Sequence, residues 1–156
     1  FMGWGIIDVD GNRLKHVASG VIATDGHESV PLRLCELHGK LQNLIREYAP
    51  AEAAVEETYV NRNGSSTLKL GYARGVALLT PAYEGLPVAE YGAMTVKKSV
   101  VGTGSATKEQ VTMMVKRLLP GVAIYKADAS DALAVAICHA HYRASAAYVT
   151  AGRRMA

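Results

Sequence analysis

Two aspartates three residues apart, Asp128 and Asp131, open a segment that is otherwise almost all Ala, Val, Leu and Ile. On a helix, positions i and i+3 share a face. Two negative charges would then stand at the first turn of a helix whose remainder is built to be buried. Burying carboxylates is costly unless something positive meets them. Two like charges ~4 Å apart, at an effective dielectric of ~20, repel by about 4 kcal/mol. A divalent cation removes that repulsion and makes the pair useful. The same residues read equally well as acids favoured by the helix dipole in a first turn. A third acid, Glu56, stands near the end of the apolar run Ala53–Thr58. Open α/β sheets place their sites at strand ends. One acid from a strand end and two from a helix start can converge on one metal cluster. Oxygen-only ligation favours Mg²⁺ or Mn²⁺ over zinc, and two such ions clamp the attacking and leaving oxygens of a phosphodiester. Glu57 should face the other way, because strand side chains alternate.

Candidate anion contacts lie nearby in sequence. Gly102-Thr103-Gly104-Ser105-Ala106-Thr107-Lys108 departs from the Walker pattern, since Thr107 rather than Gly precedes Lys108 and Glu109 follows it. It still runs a Gly-rich loop into a helix N-terminus, which offers free amides to an anion. Lys108 sits where the macrodipole disfavours a cation; a backbone phosphate would explain that choice, and a solvated lysine is the alternative. Lys97 and Lys98 are further candidate phosphate contacts. Tyr59, at the start of a mobile-looking loop, is placed to stack on an unpaired base, an interaction of about 1–3 kcal/mol, or to pack against the following helix. Charge is uneven: residues 1–59 carry 5 Lys/Arg against 9 Asp/Glu, residues 60–156 carry 12 against 5. A basic surface around a small acidic centre suits a polyanion, although an ordinary solvated surface gives the same imbalance. His139 stands eight residues past Asp131, about 12 Å along a helix, too far to share a metal with it. It reads as a packed or interface histidine.

The elements that must position these groups alternate. Gly3–Val9 ends at the turn signal Asp10-Gly11, and Leu14–Thr24 returns as its hairpin partner. Leu34, Leu37, Leu41, Leu44, Ile45 and Tyr48 fall at helical spacing before Pro50. A short strand over 53–58, a loop at Asn61–Ser65, a helix carrying Leu68, Tyr72, Val76 and Leu79, and a strand at Pro87–Tyr91 follow. Thr107-Lys108-Glu109-Gln110 fits a capping box, and a last helix runs from near Asp128 to about Arg143. Strands alternating with helices argue α/β with an antiparallel hairpin at one side. With 156 residues, 49% apolar and 20% charged, the chain reads as one domain over 1–143 with a basic, flexible tail over 144–156. No run of about 18 apolar residues predicts a membrane span. Two cysteines in apolar helical contexts, Cys35 and Cys138, read as free buried thiols of a reducing, cytoplasmic compartment. Gly71 and Gly75 share a helical face, compatible with a helix-mediated homodimer or with tight packing on the sheet.

Taken together, several blocks resemble the RuvC family of Holliday junction resolvases. Ala54-Val55-Glu56-Glu57 resembles the family's second acidic motif. Residues Leu68 to Ala77 resemble its long helix, Val96 to Lys108 its DNA-contacting loop, and Ala127 to Ala134 its third acidic motif. Gly3-Trp4-Gly5 and Gly20-Val21-Ile22 fit its early hairpin. The resemblance implies a ribonuclease H-like fold, a five-stranded mixed sheet flanked by helices. It implies an Mg²⁺-dependent endodeoxyribonuclease, two ions per site with Mn²⁺ able to substitute. Such an enzyme acts as a homodimer that nicks two strands of a four-way DNA junction symmetrically, in recombination and repair, in association with a branch-migration motor. Residue by residue, it makes Glu56, Asp128 and Asp131 metal-binding catalytic acids, Tyr59 an aromatic at the open crossover, and Lys97 and Lys108 lysines near the scissile backbone. One departure bears on all of this. The family begins with a central strand ending in Asp-Pro-Gly, whose Asp is a fourth acid, and this sequence opens at Phe1-Met2-Gly3, after that strand. Asp8 and Asp10 belong to the hairpin and do not match. The expectation is that about ten upstream residues are absent, leaving two ladders separated by a gap of roughly 9–10 Å. A non-catalytic junction-binding module, or another nuclease of the same fold, is the alternative.

Overall fold

In a computed structural model, residues 1–57 and 64–153 are described, without the side chains of 64–66 and 145–153. The element order is β1 (Met2–Asp10), β2 (Arg13–Ile22), α1 (Val30–Tyr48), β3 (Ala53–Glu56), α2 (Gly64–Tyr83), β4 (Val88–Tyr91), α3 (Ala93–Val101), α4 (Lys108–Leu118) and α5 (Ala127–Arg153). The hairpin is as expected. β1 and β2 pair antiparallel from Met2↔Ile22 to Asp10↔Arg13, with one irregularity between Ile6 and Ile7. Gly11 turns the corner at φ +56°, a conformation that L side chains resist. β3 and β4 pair parallel, Ala53↔Val88 through Glu56↔Tyr91.

Among the described residues these are two separate two-stranded sheets. A cavity of about 730 Å³ lies between them, lined by β1, β3, α1, α2 and α5.

The core sits on the other side of α5. Leu133, Ile137 and Cys138 are fully buried and meet Val96 and Val100 of α3 and Val111, Val115 and Leu119 at α4. α5 touches all four strands as well as α3 and α4, so it is the spine of the molecule. It extends beyond Arg143, to Arg153.

Three expectations change. Lys97 and Lys98 lie on a helix, α3, rather than in a loop. Val96 and Val100, one turn apart, pin that helix to the core, and Gly102 at φ +94° ends it. Cys35 is exposed, because it sits on the outer side of α1, whereas Cys138 is buried as expected; both are free. Gly71 and Gly75 do not pack on a sheet, since a Cβ added at either would meet nothing within 4 Å. Thr58, Tyr59 and residues 61–63 of the expected Asn61–Ser65 loop fall outside the described residues, whereas Gly64 and Ser65 begin α2 instead of closing that loop.

Because α5 joins the α3–α4 core to both ladders, truncating its buried side chains should be expensive. Leu133→Ala is expected to cost about 3 kcal/mol, lowering the melting temperature by roughly 6–12 °C. Leu32→Ala, at an exposed position on α1, should shift it by less than about 2 °C. Thermal unfolding of the two variants side by side checks the assignment.

Candidate active site

The three sequence-predicted acids face one end of the cavity, where Glu56, Asp128 and Asp131 all contribute to its lining. Glu56 is carried by the last residue of β3, and its ladder partner is Tyr91. The backbone is held one step further, as Glu57 N–H donates to the Tyr91 carbonyl at 2.9 Å. Asp128 comes from the first turn of α5 and Asp131 from the turn that follows, one residue later than a first-turn pair.

Two glycines set how deep that turn sits. A Cβ on Gly3 would overlap the backbone carbonyl of Asp128, and one on Gly5 would lie 2.6 Å from Leu133 Cδ2. β1 is thus bare backbone where α5 crosses it, and the acidic turn rests directly on the strand. No glycine conformational preference is involved; the requirement is space.

Opposite the acids stands α4. Its start is fixed by the expected capping box: the Thr107 hydroxyl accepts from Gln110 N–H at 3.3 Å, and Thr107 N–H donates to Gln110 Oε1 at 2.8 Å. Lys108 follows at once and reaches Asp131, with Nζ 3.5 Å from Oδ2. The pair is open to water, so it adds ~0–1 kcal/mol to stability. Its significance is where it leaves an ammonium.

Glu56 feels this whole constellation. Its carboxyl titrates above the ordinary range, first because surrounding protein strips it of water and second because the Asp131 carboxylate repels its charge. Lys108 and Lys97 act in the opposite direction. Two acids are therefore coupled, with two lysines beside them. Lys98, about 100° further round α3, is exposed and turned away from this group.

The donor chemistry fits a hard divalent cation: oxygen ligands only, and a carboxylate whose charge is insufficiently compensated. The geometry stops short of a closed cage. Among the described residues no three His, Cys, Asp or Glu side chains converge tightly enough to hold an ion by themselves. A site of this kind is completed by a further acid, by substrate phosphate or by water.

Further along α5 a second cluster, little announced by local spacing, also lines the cavity. His139, expected to be packed, bridges Tyr91 and Glu52: Nδ1 lies 2.9 Å from the Tyr91 hydroxyl and Nε2 2.8 Å from Glu52 Oε2. Arg143 Nε adds an ion pair to Glu52 at 3.0 Å. The i, i+4 spacing of His139 and Arg143 was the available signal. This network ties the β3–β4 ladder to α5 and so helps fix the position of Glu56.

Two outcomes follow. The raised Glu56 titration means that its ionised form is less favourable folded than unfolded, so stability falls as pH rises from the ordinary Glu value through the raised one. Glu56→Gln should therefore melt a few degrees higher than the parent at neutral pH without metal, and the advantage should vanish below the ordinary carboxylate range. Melting curves from pH 4 to pH 8 would decide it. Gly3→Ala must push the Asp128 backbone away from β1; amide chemical shifts of the first α5 turn should move, and Gly5→Ala should disturb the Leu133 methyls instead.

Comparison with known proteins identifies the family. The model of the family "Crossover junction endodeoxyribonuclease RuvC" matches residues 1–139. The RuvC of Gluconobacter oxydans (strain 621H) is 91% identical over 156 residues, all of this chain and 93% of that protein. That of Gluconacetobacter diazotrophicus is 72% identical over 156 residues, again all of this chain and 93% of that protein. Among solved structures, Thermus thermophilus RuvC in complex with Holliday junction substrate is 32% identical with a TM-score of 0.85, covering 92% of this chain and 88% of that one. The likeness extends over residues 1–139 in the family model and 92% of the chain in the solved structure, which makes the fold ribonuclease H-like and the chain a member of the RuvC family.

Proposed function

We infer that the chain is an endodeoxyribonuclease that resolves four-way DNA junctions by paired symmetric nicks, and that Glu56, Asp128 and Asp131 are its catalytic, metal-holding acids. The observation that carries this reading is geometric: Glu56, Asp128 and Asp131 line one cavity, with Lys108 Nζ 3.5 Å from Asp131 Oδ2. That combination, carboxylates for cations and a lysine for phosphate, is what phosphodiester hydrolysis demands. Its occurrence in a RuvC-family chain supports junction DNA as the substrate.

The residues divide the work by charge. Glu56, from the strand, and Asp131 and Asp128, from the helix, would hold Mg²⁺, with Mn²⁺ as a substitute. Such ions supply Lewis acidity that lowers the pKa of a water and offsets charge on a phosphorane-like transition state. Lys108, exposed and anchored at a helix start, is free to exchange its contact with Asp131 for a non-bridging phosphate oxygen. Lys97 would meet the same strand from α3, and Lys98 a neighbouring phosphate. Neither lysine is needed as a base. Hydrolysis in line leaves 5′-phosphate and 3′-hydroxyl ends. Tyr59 is assigned to base stacking at the crossover.

Paired nicks need two such sites. The bare faces of Gly71 and Gly75, with Leu68 and Tyr72 exposed on the same helix, support a homodimer formed through α2. Association with a branch-migration motor and a cytoplasmic location complete the proposal; no described helix is long and apolar enough to cross a membrane.

The test uses two chains: this one, and one extended at its N-terminus by a strand ending in Asp-Pro-Gly. Each is incubated with a four-way junction and with linear duplex, with and without Mg²⁺. Symmetric paired nicks confined to the junction and dependent on Mg²⁺ are expected from the extended chain at least. Glu56→Gln should lower cutting by at least about a thousandfold and leave junction binding within severalfold. Binding without cutting by both chains would replace the proposal with a non-catalytic junction-binding module. Loss of binding and cutting together in Glu56→Gln would make that residue structural.

A further inference from the structure

Helices α4 and α5 meet twice at the level of the acids. At the surface, Lys108 Nζ lies 3.5 Å from Asp131 Oδ2, with the lysine side chain 74% exposed. Beneath, Thr112, one turn further along α4, shares a 3.0 Å hydrogen bond between its hydroxyl and that of Ser130, the residue immediately before Asp131. Ser130 is 1% exposed. The two contacts differ in kind. The surface pair is hydrated and adaptable, and it cannot hold two helices in register. The surrounding interface of Val111, Val115 and Leu133 packs without direction, as apolar contacts do. The hydroxyl pair is directional and its Ser130 end is buried, the Thr112 end half-buried, so a slip of one helix along the other strands the Ser130 hydroxyl out of water. On the far side of the same turn, the backbone of Gly3 leaves Asp128 no room to move toward β1.

We propose that Thr112 and Ser130 are positioning residues: their hydroxyl pair sets the register of α4 against α5, and with it the placement of the Lys108 ammonium relative to the Asp131 carboxylate. Neither touches substrate. Thr112 and Lys108 are four residues apart on one face of α4, and Ser130 adjoins Asp131 on α5, so the half-buried bond acts on the exposed pair across one helical turn. The catalytic consequence rests on the function proposed above; the geometric one does not.

Two measurements test it. Crystal structures of the parent and of Thr112→Val are compared first. The Lys108–Asp131 contact should open by about 1 Å or more with the helices otherwise intact; an unchanged contact overturns the proposal. Second, junction cutting under single-turnover conditions at saturating DNA is compared in the cutting-competent chain. Thr112→Val should cut about tenfold more slowly with junction affinity within about twofold of the parent, and Thr112→Ser should recover most of the rate. The double variant Thr112→Val/Ser130→Ala strands no hydroxyl, so its melting temperature should recover while its cutting stays slow. Recovery of rate and melting temperature together would reduce the pair to a stabilising contact and overturn the proposal. Asp131→Asn separates the two levels: parental cutting by that variant would refute the active-centre reading, and the crystal comparison would still decide the register.

Discussion

Helix α5 crosses β1 at two positions where the strand has no side chains, and at the first of them a single methyl on Gly3 would overlap the Asp128 carbonyl. The rest of the molecule depends on that approach. It brings the acidic first turn down onto the strand while the following turns, Leu133 to Cys138, disappear into the α3–α4 core. The start of the helix opens to solvent, and there Asp128 is exposed and Asp131 half-buried. Their desolvation is limited by that opening, and their mutual repulsion is tolerated because the apolar turns behind them bury enough surface to offset it. The position of the charges is thus a consequence of packing that involves no charge.

Glu56 reaches the same place by a different route. Its strand is short, and the β3–β4 ladder alone would hold it weakly. The Tyr91–His139–Glu52–Arg143 network ties both ends of that ladder to α5, and α2 covers it. One helix therefore carries two of the acids and anchors the strand bearing the third. The result is an electrostatically strained centre, with Glu56 titrating high because of burial and Asp131. In the functional reading, a bound divalent cation is what relieves it, with proton release coupled to binding.

Much of this was legible in the chain. The i, i+3 aspartates before an apolar run, the capping box at Thr107 and the hairpin at Asp10-Gly11 are local signals, and each element formed as its spacing indicates. What was hidden was relational. Helix α3 was obscured because a Gly-rich stretch and two adjacent lysines read as a loop, although Val96 and Val100 already carried its buried stripe. The outward face of Gly71 and Gly75 could not be chosen from spacing alone. The contacts Thr112–Ser130 and His139–Glu52 join residues far apart in sequence, and nothing local in either partner announces the other. For the same reason the roles of Gly3 and Gly5 emerge only once α5 is laid across them.

The most direct measurement is anomalous diffraction from crystals grown or soaked with Mn²⁺, in the chain carrying the extra N-terminal strand and bound to a non-cleavable junction. The account predicts strong peaks whose first coordination sphere, at about 2.0–2.2 Å for an ion of this class, includes oxygens of Glu56, Asp128 and Asp131, with Lys108 turned toward a phosphate. Peaks ligated elsewhere, or a fully occupied scissile phosphate with these three carboxylates directed away from it, would contradict the account.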